Sequence, residues 1–142
     1  MTQKSTHFSH AISRTPSKAI VDGLRAVDVG APDYATLMEH HADYVAALRS
    51  TGAEVTVLPA MEEFPDAVFV EDTALCLQEL AIVMRPGAPS RLGEANAMKP
   101  TLDAMYSNVA QVEGPGFIEG GDILVSEREI LVGLSDRTTQ EG

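Results

Sequence analysis

In the stretch PDYATLMEHHADYVAALRSTG, apolar and ring-bearing positions recur at three- and four-residue steps. Tyr34, Leu37, Met38, His41, Tyr44, Val45 and Leu48 fall on one stripe, the period of an amphipathic helix. Pro32 near its start and Gly52 past its end suit the two termini. Elsewhere the period shortens. FSHAIS reads as an opening strand, followed by RTPSKAIVDGL, where Ser17 is placed to cap a brief helical turn. EVTVLPA alternates as a strand; VFVEDTALCLQ and LAIVMRP read as paired strands that turn over Gln78 to Leu80. EANAMKPTLDAMYS has a helical composition that Pro100 should kink or divide. The strand VAQVEG and the hairpin DILVSEREILVG follow. Strands and helices alternate throughout, which predicts an α/β fold in a single domain over residues 1–142.

Two segments resemble each other. FVEDTALCLQELAIVMRPGAPSRLGEA and FIEGGDILVSEREILVGLSDRTTQEG both open Phe-aliphatic-Glu, run through two strands, reach an arginine and then a glutamate. Glu71 to Glu119 is 48 residues, Arg91 to Arg137 is 46, and Glu94 to Glu141 is 47. A spacing near 47 predicts a repeated supersecondary unit. The first copy continues into a helix and a strand, whereas the second reaches RTTQEG and stops, so the expectation is an amino-terminal portion of a longer protein.

Composition narrows the partners. A formal net charge of -11 argues against nucleic acid and anionic membrane surfaces and fits a small cationic ligand. The one cysteine, Cys76, rules out an internal disulfide and favours a cytoplasmic setting. The opening MTQKSTHFSH has no apolar core of the kind a signal peptide carries.

FPDAVFVEDTA places Asp66, Glu71 and Asp72 within seven residues. On an extended strand Asp66 and Asp72 share one face and Glu71 takes the other. Neighbouring carboxylates repel unless a cation lies between them, and a planar guanidinium with its fork of donors suits that place. A solvated acidic strand end accounts for the same residues. Arg91, after the tight loop RPGAPSR, and Arg137, in GLSDRTTQEG, could each face a ligand carboxylate or stand as surface residues. Glu119 in GFIEGGDILV is a carboxylate entering a strand, a costly placement unless it meets a partner. Cys76 reads as a small buried hydrophobe in an apolar strand. His40 and His41 are adjacent on the helix, not at the three- or four-residue step of a metal pair, and His7 and His10 lie near the terminus. Neither a metal nor an organic cofactor is indicated.

With these residues in view, RTPSKAIVDGL, PDYATLMEHHADYVAAL, FPDAVFVED, RPGAPSRLGE, EGGD and RTTQEG, in this order, resemble the dimethylarginine dimethylaminohydrolase family of the pentein superfamily. The resemblance implies a propeller-like ring of ββαβ units, of which about half would be present. It implies that Asp66 and Asp72 hold the substrate guanidinium, that Glu71 shapes that site, and that Leu24 belongs to a loop over the ligand. It assigns Arg91 and Arg137 to the substrate α-carboxylate and Glu119 to the side of a catalytic histidine.

The family chemistry is nucleophilic. A cysteine thiolate attacks the guanidinium carbon, a histidine protonates the leaving amine, and water releases citrulline from the covalent thiouronium. None of His7, His10, His40, His41 or Cys76 matches the histidine or cysteine of that scheme, so the chain by itself is expected to be inactive. An arginine deiminase-like hydrolase of the same superfamily and a non-catalytic binder of arginine analogues are the alternatives. Exposed blade edges predict self-association.

Overall fold

The computed structural model describes residues 7–142, which include two compact units, Phe8–Val70 and Glu71–Gly142. In the first, strands β1 (His10–Arg14) and β2 (Glu54–Leu58) pair in parallel, from His10 opposite Glu54 to Arg14 opposite Leu58. Parallel neighbours require a crossover, which the helix α1 (Tyr34–Ser50) supplies. Its start is set by Asp33, whose carboxylate accepts the Thr36 N–H at 2.7 Å and is held below the usual carboxylate pKa by the Thr36 side chain first and by that backbone bond second. Its end is set by Gly52, which takes φ 91° and donates to the Arg49 carbonyl. The predicted stripe is the face turned away from water: Tyr34, Leu37, Met38, His41, Val45 and Leu48 are buried or half-buried. Tyr44 is the exception and stays exposed.

The cap predicted at Ser17 takes another form. Lys18–Asp22 is a short 3-10 turn, but the Ser17 hydroxyl bonds nothing in it. Instead the two oxygens of Glu62 accept the Lys18 and Ala19 N–H groups, each at 3.2 Å. A carboxylate from a distant loop satisfies two orphan donors at once, where a hydroxyl reaches one.

The second unit contains one full ββαβ element. Strands β3 (Ala74–Cys76) and β4 (Ala81–Val83) are antiparallel, and β4 pairs in parallel with β5 (Val109–Gln111) after the crossover helix α2 (Leu92–Met105). Glu94, Ala95, Met98 and Leu102 form the inward stripe of α2, against Ala81 and Val83 of β4. Burial of Met98 and Leu102 contributes about 1.5–3 kcal/mol each. The hairpin β6 (Ile123–Val125) and β7 (Ile130–Val132) follows. The strands therefore form three small open sheets, and no helix among the described residues is long and apolar enough to cross a membrane.

The internal repeat is real, with a different offset. Ala74 to Ile123 and Ala81 to Ile130 are both 49 residues. Two hydrogen bonds recur at that offset: Leu77 N–H to Leu80 O and Ser126 N–H to Glu129 O within the turns, both 2.9 Å, and Met84 N–H to Thr73 O and Gly133 N–H to Asp122 O at 2.9 and 2.8 Å. On this register Glu71 corresponds to Gly120, not to Glu119, and Arg91 is not the counterpart of Arg137. Phe117 precedes its strand start Ile123 by six positions and Phe69 precedes Ala74 by five, which displaced the alignment read from sequence.

Two further expectations change. VFVEDTALCLQ is not one strand: residues Val70–Thr73 form a 3-10 turn and only Ala74–Cys76 pairs. Asp66 and Asp72 are therefore not same-parity residues on one extended face. Nor does Pro100 divide α2, which runs unbroken from Leu92 to Met105. Pro100 and Asn96, the residue whose carbonyl loses its donor, both lie on the exposed face, so water can satisfy the freed acceptor.

Candidate functional site

The Glu71–Gly142 unit draws several charged residues into one cluster. Asp72 sits in the 3-10 turn before β3, and Arg91 ends the turn Pro89–Arg91 that opens α2. Glu94 stands three residues on, on the same side of the helix. Arg91 is 5% exposed and lies between the two acids: Nη1 donates to Asp72 Oδ2 at 2.6 Å, Nε donates to Glu94 Oε1 at 2.8 Å, and Nη2 also reaches Glu94. Burial works against its charge more than any other single influence, yet Glu94 and Asp72 together raise its pKa and keep it a cation. Arg91 is thus an internal organiser of two carboxylates, not the exposed loop arginine that the sequence suggested.

The other oxygen of Asp72, Oδ1, accepts the Gly121 N–H at 3.2 Å. This contact explains the two glycines. A Cβ on Gly121 would stand 2.5 Å from Asp72 Oδ1, and one on Gly120 would overlap the Glu71 carbonyl oxygen. Glu71 itself presents its side chain to solvent.

Glu119 is 0% exposed, and neither of its carboxylate oxygens has a hydrogen-bond partner among the described residues. Its charge partner is the exposed Arg137, with Nη1 3.3 Å from Oε2. Burial pushes the Glu119 pKa up; Arg137 and Arg91 oppose that rise, while Asp72 and Asp122 reinforce it. An acid so placed can accept a donor brought to it, and Arg137 beside it can meet an anion.

Arg137 lies on a knitted loop. Asp122 Oδ2 accepts from the Ser135 and Thr138 hydroxyls at 2.7 and 2.6 Å, and Thr138 Oγ1 accepts the Glu119 N–H at 3.2 Å. Those two hydroxyls hold the Asp122 pKa below its ordinary value. The loop backbone passes Gly87 of RPG so closely that a Cβ there would stand 2.9 Å from Arg137 Cα.

In the Phe8–Val70 unit the structure brings Asp66 and Leu24 together. The buried carboxylate of Asp66 accepts the Leu24 N–H at 3.0 and 3.2 Å, and the Leu24 side chain is exposed. Gly23 permits this approach, since its Cβ would stand 2.8 Å from Asp66 Oδ1.

The remaining candidates are placed elsewhere. His10 engages Ser9 and Glu54, and His41 Nε2 lies 3.0 Å from Ser13 Oγ. His7 and His40 are exposed. Cys76 is exposed, not buried as its apolar strand suggested, because β3 contributes only three residues and Cys76 is its last. Its thiol pKa is nonetheless pushed up by desolvation, partly offset by the Tyr106 hydroxyl, which is the opposite of an activated nucleophile. Sequence reasoning gave no role to Glu94, Asp122 or Thr138. The Arg91–Glu94 step of three residues at a helix start was the available signal for the first; nothing local announced the other two.

The α/β arrangement of strands and crossover helices is of the pentein type. The amino-terminal domain of ArgZ, an arginine dihydrolase from the ornithine-ammonia cycle in cyanobacteria, shares this chain's fold with a TM-score of 0.83 at 19% identity, over 93% of this chain and 51% of that one. Within that class the chain belongs to the dimethylarginine dimethylaminohydrolase family: the family described as N,N dimethylarginine dimethylhydrolase, eukaryotic, matches residues 33–142. The N(G),N(G)-dimethylarginine dimethylaminohydrolase of Pseudomonas aeruginosa is 44% identical over 136 residues, which cover 95% of this chain and 54% of that protein. A cysteine-to-serine variant of the Pseudomonas aeruginosa enzyme, complexed with citrulline, superposes with a TM-score of 0.93 at 44% identity, over 95% of this chain and 53% of that one. The chain spans about half the length of the curated relatives it matches.

Proposed function

We propose that this chain supplies the substrate-recognising part of a hydrolase that converts dimethylarginine or monomethylarginine to citrulline and an alkylamine. The observation that carries the reading is Glu119, a fully buried carboxylate whose oxygens have no hydrogen-bond partner among the described residues, beside an exposed arginine. A carboxylate is retained in such surroundings when a donor group meets it in the working protein. In this reading that donor is a catalytic histidine, which Glu119 would orient.

In this reading Asp66, Glu71 and Asp72 serve the guanidinium, and Leu24 lies on a loop over the ligand. Arg137 grips the α-carboxylate, with Arg91 adding its charge to that end. The strand-helix segments are parts of a pentein-type ring, the setting is cytoplasmic, and the chemistry needs no metal or organic cofactor. None of the chain's own histidines, nor Cys76, stands in the nucleophile or acid-base position, so the chain recognises ligand without turning it over.

Incubation of the chain with asymmetric dimethylarginine tests this. We expect binding without citrulline above the buffer control. Release of citrulline would overturn the division of labour, and failure to bind either dimethylarginine or citrulline would overturn the recognition reading. Binding of arginine in strong preference to dimethylarginine would favour the arginine-processing branch instead.

A further inference from the structure

We propose that Asp122 is a positioning residue that orients Glu119 and Arg137 together, through two hydroxyl branches that end on one of its oxygens. In the first branch the Glu119 N–H donates to Thr138 Oγ1 at 3.2 Å, and the Thr138 hydroxyl donates to Asp122 Oδ2 at 2.6 Å. In the second the Arg137 N–H donates to Ser135 Oγ at 3.0 Å, and the Ser135 hydroxyl donates to the same Oδ2 at 2.7 Å. A hydroxyl has one proton to give. Because an ionised carboxylate only accepts, both hydroxyl protons are committed to Asp122; Thr138 Oγ1 is left to accept the Glu119 amide, and Ser135 Oγ to accept the amides of Arg137 and, at 3.2 Å, of Thr138. The arrangement fixes the direction of every bond in both branches.

The anchor is itself tied to the repeat. The carbonyl of Asp122 accepts the Gly133 N–H at 2.8 Å, which locks the residue to the end of β7. Thr138 is 1% exposed, so the first branch is shielded from water that could replace it. The charged groups that act on Asp122 and Glu119 are Arg137, Arg91 and Asp72. Asp122 thereby sets the separation of the buried acid and the exposed arginine from behind, without touching a ligand. On the sequence the same residue is the last letter of EGGD and shows only as a polar strand start.

The importance of Glu119 and Arg137 to a ligand rests on the function proposed above, but the branched wiring does not. Amide hydrogen exchange on the intact chain at neutral pH separates the two. Thr138→Val should speed exchange at Glu119 by about tenfold and leave Arg137 unchanged; Ser135→Ala, which removes the acceptor of the Arg137 and Thr138 amides, should speed exchange by about tenfold at those two and by less at Glu119. Asp122→Ala should speed both, and Asp122→Asn, whose amide oxygen still accepts, should restore most of the protection. The amide of Met84, bonded to Thr73 O, serves as the control and should not change in any variant. Loss at both amides in Thr138→Val, no change in Asp122→Ala, or equal loss at Met84 would each overturn the assignment. If Asp122→Ala does not fold, the two branch variants still decide the matter. With L-citrulline as probe, absence of binding by the unaltered chain would defeat the functional reading while leaving the exchange result to stand or fall alone.

Discussion

Glu119 and Asp122 lie three residues apart and are driven in opposite directions. Burial raises the Glu119 pKa above its unfolded value, so its ionisation costs folding free energy: its contribution to stability is fully present below the unfolded pKa and is lost as pH rises through the folded one. The hydroxyl bonds to Asp122 depress its pKa, so its contribution is present above the unfolded pKa and is lost as pH falls through the folded one. Replacing Glu119 with glutamine should therefore stabilise the chain at neutral pH, by on the order of 1 kcal/mol, while weakening ligand binding. Thermal melts of both proteins across pH 4 to 8 should diverge as pH rises; a constant gap would show that folding does not raise the Glu119 pKa. Gly120→Ala sets a new Cβ against the Glu71 carbonyl and should cost at least about 2 kcal/mol in chemical denaturation.

At the scale of the elements, Pro100→Ala restores a helix donor opposite Asn96 and should raise stability by up to about 3 kcal/mol, read as a shift in the denaturation midpoint. The helices were the most legible part of the chain. The stripe of α1 and its end signals at Pro32 and Gly52 were readable because they depend on residues close in sequence. The strand VFVEDTALCLQ was not, since β-branched and aromatic residues marked all of it as extended. The 3-10 turn at Val70–Thr73 is tied to a residue far along the chain, through the bond from Gly121 N–H to Asp72. The site divided in the same way. Glu119 was visible as a charge in a costly place, and Asp66 and Asp72 as neighbouring carboxylates; Arg137 was visible only as an arginine after a turn. The turn of Arg91 inward, onto Asp72 and Glu94, depended on tertiary packing that no short window contains. The Ser17 cap failed for that reason too, because Glu62 comes from more than forty residues away in the chain.

At the scale of the whole molecule, the formal charge of -11 opposes self-association at low ionic strength. Against it stand the exposed apolar side chains of the last hairpin, Leu124, Ile130, Leu131 and Val132, with Leu134 beyond them. Side chains of this kind on a short open sheet favour aggregation once the charge is screened. Sedimentation should show association that grows between low and physiological salt and falls in a Leu124→Lys, Leu131→Lys variant. A monomer at every salt concentration would place the apolar hairpin among harmless surface features.

In the proposed function a buried acid and a neighbouring arginine, held by the EGGD turn and the RTT loop, recognise an arginine-like ligand. Titration of the isotopically labelled chain with L-citrulline, followed by amide resonances, tests it most directly. The account predicts saturable shifts at Glu119, Gly121, Arg137 and Thr138, lost in Glu119→Gln. Saturable binding that leaves those four amides unmoved, or no binding at all, would contradict it.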